Sequence, residues 1–167
     1  YPCDTLILSV GLIPENELSL AAGVELDPRT KGAYVDEHYQ TNVEGVFAAG
    51  NVLHVHDLVD FVSLEAEALG NAAAEYLKVG TLPPCPLEVK AGQEVGHVIP
   101  QRVSGTRDFT LSLRVRHPLR DCAVVVRQNG KELLRKKMRK ALPAEMIQMK
   151  LLGEKLSSTG DLEVCVE

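Results

Sequence analysis

The sequence predicts an α/β segment followed by a small antiparallel β module. Three observations carry this prediction: short apolar runs end at glycines in the first 80 residues, prolines gather in residues 81–100, and apolar and polar residues alternate after residue 100. Uninterrupted apolar runs are typical of strands buried on both faces, whereas alternation is typical of half-buried strands. We therefore divide the chain into an α/β segment over residues 1–80, a linker over residues 81–100 and a β module over residues 101–167.

Two apolar runs in the α/β segment predict buried strands, one at Thr5–Val10 and one at Val46–Ala49. Gly11 and Gly50 follow these runs directly, and glycine commonly ends a strand where the chain turns. Between the two runs, the pattern predicts one or two helical turns over residues 15–22 and short strands over residues 24–26 and 33–36.

A longer helix is predicted over Ser63–Leu77, where small and apolar residues recur at helical spacing. Gly80 lies just past the end of this helix, at a position where glycine often closes one. We interpret Glu65 and Glu67 as charges of this helix that are either solvated or face its dipole.

The β module is predicted to contain five strands, at residues 110–116, 123–127, 131–137, 146–152 and 162–166. Asn129-Gly130 is a strong signal for a tight hairpin turn. Short strands joined by turn residues predict a small antiparallel, sandwich-like domain. Its core is expected to contain Leu111, Leu113, Val115, Val124, Val126, Leu133, Met146, Leu151 and Val164.

The charge of the chain is split between its two parts. Residues 1–100 carry 4 basic and 15 acidic side chains, a net charge of −11, whereas residues 101–167 carry 14 and 8, a net charge of +6. This asymmetry favours two modules. The dense basic run Arg135–Lys140 lies in a strand-like context, and we interpret it as a solvated strand face or edge. We therefore expect no nucleic-acid partner.

Cysteine spacing and hydropathy bear on the cellular compartment. The four cysteines, at positions 3, 85, 122 and 165, contain no Cys-x-x-Cys pair of the kind found in zinc knuckles and redox dithiols. No apolar run approaches the ~20 residues that span a bilayer, and no charged-then-apolar leader opens the chain. We expect reduced thiols in a cytoplasmic protein without a membrane span.

The most informative stretch runs from Thr41 to Asn51 and reads Thr-Asn-Val-Glu-Gly-Val-Phe-Ala-Ala-Gly-Asn. It predicts a turn, a buried strand, a glycine that lets the backbone approach a ligand, and then a short polar side chain. Open α/β sheets bind cofactors at the carboxyl ends of their strands. The next helix can aim its positive amino terminus at an anionic oxygen of the same ligand.

This stretch resembles the second flavin motif of the pyridine nucleotide-disulfide oxidoreductase family, in which Thr, Gly, an apolar residue, an aromatic residue, Ala, Gly and Asp occur in this order. Every fixed position matches except the last, where Asn51 replaces Asp. Residues 4–16 resemble the family's strand and Gly-x-x-Pro turn, and Gly32–Asp36 and Glu65–Leu77 resemble its flanking strand and helix. The resemblance covers residues 1–80 in the family's order.

The resemblance implies a Rossmann-like FAD-binding fold in a protein that passes hydride from NAD(P)H through FAD to an acceptor. Gly50 would let the backbone approach the cofactor, and Asn51 would hydrogen-bond the ribityl chain. The backbone amides of Asp60, Phe61 and Val62 would meet the pyrimidine oxygen of the flavin. The family's first glycine-rich motif, NAD(P) domain and redox pair have no counterpart here. We expect them in a missing amino-terminal part of the same protein, so that this chain is a carboxyl-terminal fragment, inactive alone.

The loop after the motif leaves three interpretations open. His54-Val-His56, with Asp57 and Asp60 nearby, has the residue types of a zinc or iron site. A role near the flavin ring and a plain loop, in which an aspartate caps the next helix, are the alternatives. We predict no metal ligand, and the catalytic residues stay unknown.

A second hypothesis describes the whole chain differently. The chain would be a non-catalytic partner-binding or assembly module with a vestigial flavin segment, which the Asn51 replacement and the added β module favour. A partner oxidoreductase subunit and a homodimer are both compatible with the sequence. Bound flavin in the intact protein distinguishes this hypothesis from the enzymatic one.

Overall fold

Two α-helices and eight β-strands form the regular structure of residues 2–8 and 11–167, the part of the chain that this computed structural model describes. The helices are α1 (Glu17–Ala21) and α2 (Val59–Val79), and short 3-10 turns cover Gly50–Val52 and Gly153–Lys155. The strands are β1 (Leu87–Ala91), β2 (Val95–Ile99), β3 (Arg102–Val103), β4 (Phe109–Val115), β5 (Leu119–Gln128), β6 (Lys131–Ala141), β7 (Ile147–Leu151) and β8 (Leu162–Val166). The chain is therefore mixed α/β, with its strands after α2.

The strands form two sheets that share one apolar core. The larger sheet has the order β3-β1-β8-β5-β6, and the smaller sheet has the order β2-β4-β7. Among the described residues, all strand pairs are antiparallel except β1 and β8, which run parallel. Burial of apolar surface is the main favourable term in folding. Side chains from both sheets meet in the core, among them Val98, Leu111, Leu113, Val124, Val126, Met149 and Val164.

The hairpin between β5 and β6 forms where the sequence predicts it. Asn129 and Gly130 have φ angles of 52° and 76°, the positive values that a two-residue type I′ turn needs. β6 lies at the edge of the larger sheet, and most side chains of the basic run Arg135–Lys140 are exposed. The interpretation of this run as a solvated edge is confirmed. Charged side chains on an edge strand also oppose its pairing with another chain.

The prediction of a linker over residues 81–100 is wrong over most of its length, because β1 and β2 lie inside it. The prolines of this segment stand at positions 83, 84, 86 and 100, so the residues between the last two keep every backbone donor that a strand needs. β1 alternates buried and exposed side chains, as a half-buried strand does. The β structure therefore begins at residue 87 and not at residue 101.

The predicted core of the β module is confirmed at every position but one. Leu133 is only half-buried, and its neighbour Leu134 packs against the core instead. The pairing of β5 with β6 shifts between Val126 and Arg127, and Leu134 lies opposite the buried Val126. Residues directly opposite each other on paired strands share a face. Leu134 is therefore directed inward, whereas Leu133 is the residue that the shift leaves without an opposite partner.

Helix α2 is longer than predicted but ends as predicted. It extends over Val59–Val79 instead of Ser63–Leu77. Gly80 adopts a φ of 82° at its carboxyl end and donates its N–H to the carbonyl of Tyr76 at 2.7 Å. This left-handed conformation favours glycine. Judged by length and apolar character, none of the helices in the described part of the chain qualifies to cross a membrane.

The residues before α2 form turns and isolated bridges. Leu26 pairs with Ala33, and Gln40 pairs with Phe47, each through one bridge. A second, smaller core holds these turns together, and β2 contributes to it, so the segment packs against the β structure. This core consists of Val24, Ala33, Val35, Ala48, Leu53 and Ile99.

The buried strands predicted at Thr5–Val10 and Val46–Ala49 are wrong where the structure describes them. The first four residues of the first run are not in a strand and expose their side chains, while Ser9 and Val10 lie outside the described residues. The second run makes a single bridge. A strand satisfies its backbone groups through a neighbouring strand, and the described residues place none beside either run.

Burial of the β core predicts a large difference between two leucines. Leu113 is fully buried, whereas Leu133 is half-exposed on β6. Leu113→Ala should lower the free energy of unfolding by about 2–5 kcal/mol, because it removes buried methyl groups and leaves a cavity. Leu133→Ala, the matched control, should cost less than about 1 kcal/mol. Urea unfolding followed by circular dichroism measures both free energies. Equal costs would contradict the difference in burial between Leu113 and Leu133.

Candidate cofactor site

The predicted cofactor motif ends in a tight 3-10 turn over Gly50–Val52. Gly50 is buried and has a φ of 71°, a backbone conformation that strains any other residue. A Cβ atom at this position would lie 3.4 Å from Cγ1 of Val62 in α2. The positive φ therefore favours glycine here, whereas the space beside Val62 would accept a Cβ atom.

Asn51 is exposed beside this turn. Its Oδ1 accepts a hydrogen bond from the backbone N–H of His56 at 3.1 Å, which shapes the loop between the turn and α2. A side-chain amide also carries two N–H donors. The contact with His56 leaves these donors free for a ligand.

The amino terminus of α2 has no side-chain cap. Leu58 precedes the helix in an extended conformation, and Asp60, Phe61 and Val62 lie in its first turn. The first N–H groups of a helix have no acceptor within the helix, and the helix dipole adds positive charge there. The amides of Asp60 and Phe61 can therefore bind a carbonyl or anionic oxygen next to the Gly50 turn, whereas the N–H of Val62 makes the first hydrogen bond within the helix, to the carbonyl of Leu58.

Neither Asp57 nor Asp60 caps α2, so that part of the plain-loop interpretation is wrong. Asp57 instead accepts hydrogen bonds from the backbone N–H of Met146, at 3.2 and 3.3 Å, and pairs with Arg114 at 3.3 Å. Arg114 also donates to the carbonyl of Val55 at 2.9 Å. The loop that leads into α2 is thus held by residues of the β structure.

A buried carboxylate, that of Glu65, ties the turn to α2. Its Oε2 accepts a hydrogen bond from the backbone N–H of Gly50 at 2.5 Å. Its Oε1 lies 2.9 Å from Nε2 of His54, and its Oε2 lies 3.5 Å from Nε2 of His56. Glu65 is 5% exposed, so the first of its two interpretations, a solvated charge, is wrong. It lies two helical turns before the buried Ala72, on the inward face of α2.

The surroundings of Glu65 keep its carboxylate charged. Burial raises the pKa of Glu65, but hydrogen bonds from His54, His56 and the Gly50 N–H outweigh burial and lower the pKa to about 2. Hydrogen bonds to the charged form of an acid act in this direction. At neutral pH the site therefore contains a buried negative charge, whose partners are two imidazoles and one backbone amide.

A cavity of about 270 Å³ adjoins the histidines and reaches β2 and β4. Its polar wall includes Arg29, Lys31, His54, His97 and Arg114. The ring centroids of His54 and His97 lie 5.8 Å apart. Burial, followed by the nearby His54 and Arg114, lowers the pKa of His97 to about 4. His97 is therefore neutral at neutral pH, and Arg29, Lys31 and Arg114 give the wall its positive charge.

The cluster of His54, His56 and Glu65 has the residue types of a metal site, and its ligand atoms lie within 4.8 Å of one another. Both Nε2 atoms, however, already face Glu65. Both Nδ1 atoms are buried and have no hydrogen-bond partner among the described residues. A metal-bound histidine normally donates its second ring N–H to an acceptor. This cluster therefore fits a hydrogen-bonding role better than a metal.

The structure brings Gly50, Asn51 and the amino terminus of α2 to one place, while their contacts with a flavin stay a prediction. Sequence reasoning missed the parts played by Glu65, His97 and Arg114. The helical period could have placed Glu65 on the buried face of α2. The other two come from β2 and β4 and carry no local signal, because only the tertiary fold places them beside the loop.

Residues 1–73 match the family model described as pyridine nucleotide-disulphide oxidoreductase. Over 81 residues, 48% of this chain, the sequence is 31% identical to putidaredoxin reductase CamA of Pseudomonas putida. It is 30% identical over 94 residues, 52% of the chain, to the ferredoxin reductase component of chlorobenzene dioxygenase from Cupriavidus sp. strain PS12. It is 30% identical over 79 residues, 47% of the chain, to ferredoxin–NADP reductase of Ignicoccus hospitalis.

The matched part of the chain spans 18% of the first of these relatives, 22% of the second and 26% of the third. No solved structure matches the chain significantly.

A glycine turn, a polar side chain and an open helix terminus lie together within the part of the chain that matches an oxidoreductase family. Residues 1–73 are similar to the pyridine nucleotide-disulphide oxidoreductase family. The resemblance found at Thr41–Asn51 is thereby confirmed. The cofactors that the resemblance implies, FAD and NAD(P)H, are also confirmed as the cofactors of this family.

Removal of the Glu65 carboxylate should destabilise the fold strongly. Glu65→Ala leaves the Gly50 N–H and two imidazoles without their shared acceptor, and each buried donor left without a partner typically costs about 1–3 kcal/mol. Glu67→Ala, at an exposed position of the same helix, is the control and should cost less than about 1 kcal/mol. Chemical unfolding at neutral pH measures both changes in free energy.

The effect of Glu65→Ala should also depend on pH. The pKa of Glu65 is lowered from 4.5 to about 2 in the folded protein. Its contribution to stability is therefore present above its ordinary pKa and is lost as the pH falls toward 2. The difference between wild type and Glu65→Ala should shrink over this pH range. A difference that stays constant down to pH 2 would contradict the charged state of the buried carboxylate.

Proposed function

We propose that this chain supplies the ribityl and pyrimidine side of the flavin site in an FAD-dependent, NAD(P)H-linked oxidoreductase. The observation that supports this most is the uncapped amino terminus of α2, which lies against the buried turn at Gly50. The family of residues 1–73 supports the same cofactor. FAD, when bound, supplies the hydride and electron transfer, and the protein supplies position and electrostatics.

Each predicted ligand has a separate task in this proposal. Gly50 keeps the turn free of a side chain, so the backbone approaches the ribityl chain. Asn51 offers its amide to a ribityl hydroxyl. The backbone N–H groups of Asp60 and Phe61 bind the pyrimidine oxygen, and Val62 packs beside them, since its own N–H is bonded to Leu58 within the helix. Their fixed positive potential stabilises negative charge that develops on that oxygen.

Glu65 is a positioning residue in this proposal, because its contacts are with the loop and not with the cofactor. It binds the N–H of Gly50 and both imidazoles of the loop. These contacts fix the distance between the turn and the first turn of α2. A preorganised pair of binding elements needs no rearrangement when the ligand arrives, which favours binding.

The remainder of the flavin site is proposed to lie in another part of the same protein. The 167 residues contain no Gly-x-Gly-x-x-Gly sequence, the motif that binds the pyrophosphate of a dinucleotide. Large exposed apolar patches mark contact surfaces. The segment exposes such side chains at Leu6, Ile7, Leu8, Leu12, Ile13, Leu64 and Leu77. With a covering part of the protein, the segment would complete a Rossmann-like fold beside a sandwich-like β module.

The electron acceptor is proposed to be a partner redox protein. The three relatives are named as reductases of putidaredoxin or of a ferredoxin, and we extend that class of acceptor to this protein. Its four cysteines are free, which is consistent with work in the reducing cytoplasm.

A second candidate function is a partner-binding module with a vestigial flavin segment. Asn51 favours it, because its Oδ1 is already engaged by the N–H of His56 and its side chain carries no charge. The visible spectrum of the purified intact protein distinguishes the two. A stoichiometric yellow chromophore rejects the vestigial function, and a colourless protein that takes up no added FAD rejects the oxidoreductase.

Replacement of Asn51 tests its proposed contact with the ribityl chain. In the intact protein, Asn51→Leu leaves ribityl hydroxyls without a partner, at a cost of about 1–3 kcal/mol. FAD affinity should therefore fall by roughly 5- to 150-fold. Asn51→Asp, which keeps an acceptor oxygen, is the control and should retain FAD. Affinity is measured by flavin fluorescence, and wild-type retention in the Leu variant would show that Asn51 is not a ligand.

The 167-residue chain by itself is expected to bind FAD only weakly and to show no reductase activity. It offers contacts to the ribityl and pyrimidine ends, which must offset the several kcal/mol lost when a free ligand is immobilised. A net binding energy of about 4 kcal/mol corresponds to a millimolar dissociation constant. Titration with FAD, followed by flavin fluorescence, measures it. Stoichiometric quenching at micromolar FAD would mean that these residues form a complete flavin site.

A further inference from the structure

A second cluster of ligand-type side chains lies apart from the flavin motif. Glu37, His38 and Cys85 bring a carboxylate oxygen, an imidazole nitrogen and a thiol sulfur within 4.8 Å of one another. Nε2 of His38 lies 3.9 Å from Oε1 of Glu37. Atoms bound to one zinc ion at ~2.0–2.3 Å in a tetrahedral arrangement are roughly 3.5 Å apart. Small side-chain rotations therefore bring the three groups to bonding distance.

His38 lacks the partner that a buried imidazole needs. It is 4% exposed, and its Nε2 has no hydrogen-bond partner among the residues that the structure describes. The 3.9 Å to Glu37 is too long for a hydrogen bond. Buried polar groups in native proteins are nearly always satisfied, and an exception points to an additional water or ion.

The carboxylate of Glu37 is already oriented by outer hydrogen bonds. Its Oε1 accepts from the hydroxyl of Ser104 at 2.6 Å, and its Oε2 accepts from the backbone N–H of Ser104 at 3.0 Å. Carboxylates that bind metals are usually held by such contacts. Ser104 follows β3, so the cluster lies where the turn at Glu37, the connection from α2 to β1 and the β structure meet.

The charges around the cluster favour a cation. Burial, followed by the carboxylates of Asp36 and Glu37, raises the pKa of Cys85 to about 12, while Arg102 opposes them. Only the part of this effect that comes from the two carboxylates attracts a divalent cation, because burial disfavours a charge of either sign. A metal ion that binds the sulfur displaces its proton.

We propose that Glu37, His38 and Cys85 bind one Zn²⁺ ion, with the fourth position open to water. A thiolate, an imidazole and a carboxylate together form a ligand set that zinc accepts. The bound ion gives His38 its missing partner, and the thiol proton passes to solvent. Cys85 is half-buried, which leaves an entry path. The ion fastens the connection between α2 and β1 to the turn at Glu37. This site goes beyond the proposed flavin function and does not rest on it.

The cluster differs from that of His54, His56 and Glu65 in one of the two features that decided against a metal there. Both Nε2 atoms of the other cluster already face a carboxylate at 2.9 and 3.5 Å, so a metal ion would have to replace those contacts. At His38 the ion replaces no hydrogen bond of Nε2, because none exists among the described residues.

Cobalt(II) reports a thiolate ligand directly. The chelator-treated full chain, without FAD, should take up one Co²⁺ per chain with a thiolate-to-metal charge-transfer absorption, and Zn²⁺ should displace it. Cys85→Ser should abolish the absorption, and His38→Gln should weaken the binding of both ions at least about tenfold. Cys3→Ser is the matched control. It removes an exposed cysteine outside the cluster and should change neither result.

Circular dichroism verifies that each variant is folded. If Cys85→Ser does not fold, the affinity of His38→Gln for the two ions tests the proposal. Absence of Co²⁺ uptake by the folded wild-type chain overturns the proposal. So does a charge-transfer absorption that persists in Cys85→Ser, because the thiolate would then lie elsewhere. Uptake of Co²⁺ without this absorption also overturns it and points to the cluster around Glu65. FAD binding is measured separately, so failure of one proposal leaves the other standing.

Discussion

The carboxylate of Glu65 is the contact on which the candidate cofactor site depends. It is the shared acceptor for the N–H of Gly50 and for the rings of His54 and His56. One side chain of α2 therefore fixes both the turn that ends the motif and the loop that follows. Without it, three donors would be buried without an acceptor, each at a cost in free energy. The loop path that leaves the amino terminus of α2 open follows from this contact.

The same loop is held from its other side by the β structure. Arg114 donates to the carbonyl of Val55 and pairs with Asp57, which accepts from the N–H of Met146. His97 lies against His54 and is neutral at neutral pH, so it adds no further cation beside Arg114. Two parts of the chain thus converge on one loop. The β structure is therefore part of what shapes the site.

Features written in neighbouring residues were predictable, and features that depend on distant contacts were not. The turns at Gly80 and Asn129-Gly130 follow from backbone preferences of these residues alone. The flavin motif of Thr41–Asn51 is likewise contained in consecutive residues. Burial of Glu65 depends on histidines in a separate loop, and the inward face of Leu134 depends on a shift in strand pairing. A single charged residue in a helical pattern predicts a solvated side chain. The partners that allow Glu65 to be buried are not among its neighbours in the helix, so the pattern does not show them.

The arrangement gives the Asn at position 51 a physical rationale. His56 is bound at its backbone N–H by Asn51 and at its ring by Glu65, which is already charged. A carboxylate at position 51 would add a second negative charge to the loop that Glu65 already binds. The amide keeps an acceptor for His56 and leaves two N–H donors for the proposed ribityl contact without adding a charge. The negative charge of the site lies on Glu65, so its absence at position 51 does not imply loss of the site.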